Sequence, residues 1–460
     1  MTFPPIAMLK QLVRHECRQR REEGCDVGDI PQRVAEAGEG RDLLMGLYEQ
    51  LRRLEVRPDF PFEEPNELDA IRAARPAGLT TNSGAIKIDK LVDDRLHGGC
   101  LGRCAGCALG KPLESPPFMT DARNIKRYLE FTSSWPLNNY ISCNEEACRA
   151  VGLDEMHSRR SQREHIRYME PDDDIRYTIM GLDILAEIGS RFTTRDVADW
   201  WLQKLGAARC YTAEEAVYRN LILLGATHDV ATLTDEQLAE ARDWLNPYRE
   251  WIGAQIRAAG WALACPADPQ RAALFAWRDA TLSHVKNGVY GEMYCAAMIA
   301  AAAALNEPRE IVSAGLAQIP ERSRLADAIR RTMEYCRSID FSADRFEDAI
   351  HWLWEQFGDY DPVHSINNAA AVTAALLLGG RDFEKVITIA VMSGWDTDCN
   401  GATAGSVCGT MLGAQRLPDK WTRPLNDVLL GEIPGFHPLP ISKCARRHAK
   451  IARQLASGDG

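Results

Sequence analysis

Asp172-Asp173-Asp174-Ile175-Arg176-Tyr177-Thr178-Ile179-Met180-Gly181-Leu182 sets three adjacent carboxylates against an apolar stretch of helical spacing. Neighbouring carboxylates repel one another. A folded chain keeps three in a row only where water solvates them, or where cations such as Mg²⁺ that prefer oxygen ligands neutralise them. The flank argues against plain solvation, because charges that run straight into a core-forming segment line a pocket. A second run, Asp396-Thr397-Asp398, follows more than two hundred residues later, between the hydrophobic segment 386–392 and the small-residue stretch 400–413. Both runs read as ligands for hard metal ions.

Periodicity is helical almost throughout. Apolar residues recur at three and four spacing over 9–21, 41–54, 89–109, 175–187, 194–205, 213–224, 270–280, 290–305, 324–337, 346–357, 366–378 and 383–392, and no convincing run of alternating strands appears. Thr193-Thr194-Arg195-Asp196 and Thr212-Ala213-Glu214-Glu215 read as helix starts, and Gly379-Gly380 as a stop. The pattern predicts an all-α compact bundle of a dozen or so helices, with no repeat period. Residues 1–85 read as a separate helical extension ending in the Pro- and acid-rich 58–65 and the Gly/Thr/Ser/Asn stretch 78–84, so that the main all-α domain spans 86–460. A loop-rich insertion at 135–170 is either a lid over a pocket or a solvated surface loop.

The 460 residues carry a net charge of −11 and 26% charged residues, a balance that disfavours a nucleic-acid scaffold. No window approaches the roughly 18–20 uninterrupted apolar residues of a membrane span, and the first residues lack the pattern of an export signal. A cytoplasmic protein that binds neither membrane nor nucleic acid is expected. Fourteen scattered cysteines fit a reduced compartment. Cys100, Cys104 and Cys107 have a spacing that can hold zinc or an iron-sulfur cluster, but no second Cys pair follows at ribbon spacing. The alternative is three small thiols interleaved with Gly99, Gly102 and Gly106 for close helix packing.

Three segments, in order, resemble the ADP-ribosylglycohydrolase family, all-α Mg²⁺-dependent hydrolases. Asp94 to Glu114 contains Gly102-Arg103-Cys104-Ala105-Gly106-Cys107-Ala108-Leu109-Gly110-Lys111-Pro112-Leu113-Glu114, similar to the family's opening helix and the Glu that follows it. Asp172-Asp173-Asp174 resembles the [Ser/Thr]-Asp-Asp metal motif, and Gly394-Trp395-Asp396-Thr397-Asp398-Cys399-Asn400-Gly401 resembles Gly-Gly-Asp-Thr-Asp-Thr-Asn-Gly. The resemblance implies a central binuclear site of two Mg²⁺ ions, with Mn²⁺ as a substitute, that grips the vicinal hydroxyls of a ribose. Asp172, Asp173, Asp174, Asp396 and Asp398 are the implied ligands, with Asp398 bridging the ions. Glu114 stands where the family keeps its reacting carboxylate; the plainer reading is a solvated loop Glu after Pro112.

The chain also departs from the family pattern. Asp172 replaces Ser or Thr, and Cys399 replaces a Thr oxygen, making it a doubtful metal ligand because a thiol holds Mg²⁺ poorly. The phosphate loop Gly-Asn-Gly-x-x-Met-Arg is reduced to Trp251-Ile252-Gly253-Ala254-Gln255-Ile256-Arg257, keeping Gly253 and Arg257 as substrate-binding candidates. Leu282-Ser283-His284 matches Leu-[Ser/Thr]-His and puts His284 near the substrate ribose or a ligand, or else in a cap or core role. Among Tyr248, Trp261, Tyr290 and Tyr294, Tyr290 leads as a surface for stacking a base, against core packing for most of them. His364 to Asn368 should cap a helix and support the second acidic run. The implied activity is Mg²⁺-dependent hydrolysis of an N- or O-glycosidic bond at ribose C1 in an ADP-ribosylated protein or small molecule. The alternatives are hydrolysis of a small N-riboside or nucleotide such as an NAD-derived intermediate, and a non-catalytic ADP-ribose binder.

Overall fold

The computed structural model describes residues 4–77, 89–226, 230–339 and 345–457. Twenty-three α-helices and one two-stranded pairing, Val428–Leu429 with Leu439–Pro440, make up its regular elements. The all-α expectation holds, and each of the twelve periodic segments lies largely within a helix. The stretch 78–84 and the domain boundary after residue 85 lie outside the described residues.

At the centre, the helices Lys90–Gly110 and Thr397–Leu412 run antiparallel in backbone contact. Glycines four apart on one face meet glycines four apart on the other: Gly98 faces Gly409, Gly102 faces Gly405, and Gly106 faces Gly401. A methyl group at any of these positions would overlap the facing carbonyl. This face is built for close approach at the expense of helix propensity. The contact ends where Gly110 abuts the backbone of Thr397 and Asp398, and Thr397 Oγ1 donates to Gly110 O at 2.9 Å. Around the pair pack Lys286–Ala302, buried over nearly its whole length, together with Ser365–Gly379, Phe383–Met392 and Ile441–Ser457.

The insertion at 135–170 contributes Tyr140, Ile141, Ile166 and Met169 to the main core and is tied down by Tyr140 Oη donating to Trp421 O at 2.6 Å and by Met169 N donating to Val428 O at 2.9 Å. It packs as a side wall of the bundle.

Residues 4–77 form four helices with an apolar cluster of their own, including Leu9, Leu12, Leu44, Leu47 and Leu51, which gathers in Leu245 from the main body. The junction beside that cluster is ionic. Arg249 donates to both oxygens of Glu16 at 2.7 and 2.8 Å and to Glu23 at 3.2 Å, and Arg324 joins Glu64 at 2.7 Å to Glu250 at 2.8 Å. These groups are buried, so the fork geometry of arginine has to offset their desolvation. Burial works to raise the Glu23 carboxyl, but Arg249 and Lys286 together outweigh it and hold it down at about 2.

Two predictions follow from this packing. Gly106→Ala should cost at least the ~1–3 kcal/mol of an overpacked core. Gly46→Ala, in an exposed helix position with open space around it, should stabilise by about 0.5–1 kcal/mol; urea melts of the two variants compare them. Arg249→Ala should cost roughly 3–5 kcal/mol by stranding two buried carboxylates. In the parent chain the Glu23 contribution is complete above the ordinary carboxyl value of 4.5 and is lost as pH falls toward about 2. Urea midpoints across that window should therefore fall in the parent and change less in Arg249→Ala.

Candidate active site

The end of the glycine contact delivers the site. Helix Lys90–Gly110 passes through a single turn, Lys111–Leu113, so that Glu114 emerges just beyond the start of Thr397–Leu412. On the other side the chain reverses through Gly394 and Trp395 in left-handed conformation, φ 78° and 57°, before Asp396 opens that helix. A tryptophan there is costly. Its ring is fully buried and stacks on Trp354 at 4.7 Å, which holds the turn. Asn368 supports it as expected: its Oδ1 accepts from Asp396 N at 3.2 Å and from Asn400 Nδ2 at 2.8 Å, while His364 caps its own helix by accepting from Ile366 N at 3.2 Å.

Asp172 caps the helix Asp173–Glu187, accepting from Asp174 N at 2.9 Å. The triplet thus occupies a helix N-terminus whose partial positive charge favours anions. Two protein cations enter as well. Lys111 Nζ lies 2.6 Å from Asp172 Oδ2, and Arg103, buried beneath, donates to Asp174 Oδ1 at 2.6 Å. Asp172, Asp174 and Asp398 converge with Cys107, their ligand atoms all within 4.8 Å of one another, and Asp396, Asp398 and Cys399 form a second such group. Asp398 belongs to both. Asp173 and Glu114 belong to neither but line the adjoining cavity.

The donor set fits divalent cations. Asp174 Oδ2, Asp396 Oδ1 and Asp398 Oδ1 are buried oxygens without a hydrogen-bond partner, a costly arrangement that coordination would relieve. Glu114 and the five aspartates outnumber the basic side chains set among them, Lys111, Arg103 and Arg176. Protein groups alone push most of these carboxyls upward: burial first, then neighbouring carboxylates, raises Asp173 to about 7 and takes Glu114 and Asp398 well above the usual range. Asp172 is the exception; burial works against its charge, but Lys111 keeps it below its ordinary value.

The cavity has a volume of about 390 Å³, with Glu114, Asp173, Arg176, Arg209, Glu214 and Trp251 in its wall. Gly253 lines it too, as does Cys399. Arg257, His284 and Tyr290 do not. Arg257 is fully buried behind the wall, bound to Asp279 at 2.8 Å and Glu214 at 2.5 Å. His284 is buried against Ser283 Oγ at 2.8 Å, and Tyr290 donates to Pro65 O in the junction with the first 77 residues. Trp261 stacks on Phe192 in the core, and Tyr294 bonds Thr373. No residue of 135–170 lines the cavity, so the insertion does not cover it. Lys111, Arg103 and Glu214 were not singled out as site residues in the sequence. Lys111 and Arg103 stand inside the first motif, and Glu214 stands beside Glu215 in the helix start at Thr212, where two acids in a first turn give no signal beyond capping.

The sequence profile of the ADP-ribosylglycohydrolase family matches residues 89–454. A solved structure of an ADP-ribosylglycohydrolase-related protein complex is similar at 20% identity, covering 79% of this chain and 99% of that chain with a TM-score of 0.50, a likeness of fold. No curated protein matches. The profile spans both acidic runs and the helix leading to Glu114, and so the chain belongs to the ADP-ribosylglycohydrolase family, whose activity is that of a glycosidase.

Proposed function

We propose that the chain hydrolyses the N- or O-glycosidic bond at ribose C1 of an ADP-ribosylated protein or small molecule, with Glu114 as the proton-transferring group and Asp172, Asp173, Asp174, Asp396 and Asp398 holding two Mg²⁺ or Mn²⁺ ions. The observation that carries this reading is the convergence of both acidic runs, with unpartnered carboxylate oxygens, beside a glutamate open to a cavity. Bound divalent ions supply orientation of a ribose diol and polarisation of a coordinated oxygen. The protein residues do the rest. Burial, the largest cause, raises the Glu114 carboxyl well above its usual range, which suits it to give a proton to a departing nitrogen or oxygen and to recover one from water. The negative wall favours the positive charge that develops on the ring as the C1 bond breaks. Lys111, tied to Asp172, trims that field and fixes the triplet.

The loop 251–257 favours a second reading for the substrate. Trp251 N and Ile252 N bond to Tyr248 O and Val363 O, and Ile256 N and Arg257 N bond within the loop, so these amides are taken up internally. A substrate without a diphosphate, a small N-riboside or nucleotide, suits this wall.

Incubation with ADP-ribosyl-arginine, ADP-ribosyl-serine and simple nucleosides, with Mg²⁺ or with EDTA, tests both. Mass spectrometry should detect metal-dependent release of a ribosyl product, reduced about 10²–10⁴-fold in Glu114→Gln. Tight binding of ADP-ribose without turnover of any substrate would establish a binder instead. The cations should also stabilise the fold: at about 100 times the dissociation constant, Mg²⁺ or Mn²⁺ adds about 2.7 kcal/mol per occupied site over EDTA-treated protein. That increment should largely disappear in Asp398→Asn, and calorimetric titration should count two ions per chain.

A further inference from the structure

The zinc reading of Cys100 and Cys104 lacked a second pair of ligands in the sequence, and the fold supplies one from the far end of the chain. Cys444 and His448, one turn apart on Ile441–Ser457, lie against the face of Lys90–Gly110 that carries Cys100. Cys100 Sγ stands 4.0 Å from His448 Nδ1, Cys444 Sγ stands 3.9 Å from the same nitrogen, and all three ligand atoms fall within 4.8 Å of one another. Each residue is buried: Cys100 is 4% exposed, Cys444 2% and His448 0%. Zinc bonds of about 2.3 Å to sulfur and 2.0–2.1 Å to nitrogen, at tetrahedral angles, set the ligands roughly 3.5–3.8 Å apart. The two sulfur–nitrogen edges need to contract by about half an ångström.

We propose that Cys100, Cys444 and His448 form a structural zinc site, separate from the acidic centre, that clamps the C-terminal helix to the helix leading to Glu114. Cys104 lies one turn beyond Cys100 on the same helix and is 2% exposed. Cys107 turns instead to the acidic group, so one helix serves two centres. One further observation fits: His448 Nδ1 faces both sulfurs with only the carbonyl of Cys444, at 3.1 Å, as its other partner. Zinc would exchange thiol protons for metal-sulfur bonds and contribute its binding energy to the fold.

Cobalt titration of the full chain tests this, read as thiolate-to-cobalt charge transfer in the near ultraviolet. The background is Cys107→Ser/Cys399→Ser, which removes the thiols of the acidic centre. One equivalent of Co²⁺ should give the band there, and Zn²⁺ should displace it. Adding Cys444→Ser should weaken binding by no less than the ~10–100-fold that loss of even an outer-shell partner costs a metal site. His448→Gln should do the same, with circular dichroism reporting that the fold is retained; this second variant serves if Cys444→Ser does not fold. Absence of the band in the background protein, a band indifferent to both variants, or a Cys100–Cys444 disulfide found by mass spectrometry in protein purified without oxidant would overturn the proposal. Because the background keeps all the acidic ligands, failure here leaves the glycosidase reading to its own assay.

Discussion

Backbone contact between two antiparallel helices is the constraint from which the site follows. Side chains ordinarily hold helix axes about 8–10 Å apart, and the glycines from Gly98 to Gly110, facing Thr397–Leu412, remove that spacer over about three turns. The register leaves no slack. Shifting one helix by a residue would drive Leu101 or Ala105 into a facing carbonyl, so the position of Gly98 against Gly409 dictates that of Gly110 against Thr397. Glu114 and the second acidic run are thereby fixed to each other by main chain.

What the contact brings together is electrostatically unfavourable by itself. Carboxylates are crowded into a low-dielectric centre, and three of their oxygens have no partner. Two helix N-termini, at Asp172 and Asp396, offset part of the repulsion, and Lys111 and Arg103 offset more. The remainder is local conflict of the kind that marks a functional site in an otherwise self-consistent fold. It also explains the depth at which Arg103 lies. A guanidinium bound to Asp174 and to the carbonyls of Asp174 and Ile256 is part of the floor of the site, and a hydrated lysine ammonium would match that fork poorly.

The sequence disclosed these features unevenly, for physical reasons. Long amphipathic helices were legible because their apolar stripes repeat over several turns. Thr397–Leu412 was read only as a small-residue stretch: it is buried nearly all round, and a helix buried on every side has no stripe to find. Ile441–Ser457 escaped notice although one face is apolar, because that face is built from cysteine, alanine and histidine as much as from leucine and isoleucine. The acidic runs announced themselves by the repulsion their spacing implies. Lys111 and Arg103 did not, since a lone basic residue in a helix is most often solvated and only the fold shows which carboxylate it meets. Tyr290 and His284 illustrate the reverse case, where an aromatic or imidazole of suggestive spacing is taken up by the core and by the junction with the first 77 residues.

That junction bears directly on the altered loop. Glu250 accepts from Gln19 at 2.6 Å, from Arg324 at 2.8 Å and from Asn287 at 2.8 Å, so the residue just before the loop anchors the extension. Trp251 follows with its ring 5.7 Å from that of His15 and 4.6 Å from that of Tyr248, while also lining the cavity. A Gly in place of Trp251 has no indole to make these ring contacts. The same few residues therefore form the cavity wall on one face and receive the helix Ile6–Glu22 on the other. The helix Ile6–Glu22 thus buttresses the cavity wall through Glu250 and Trp251.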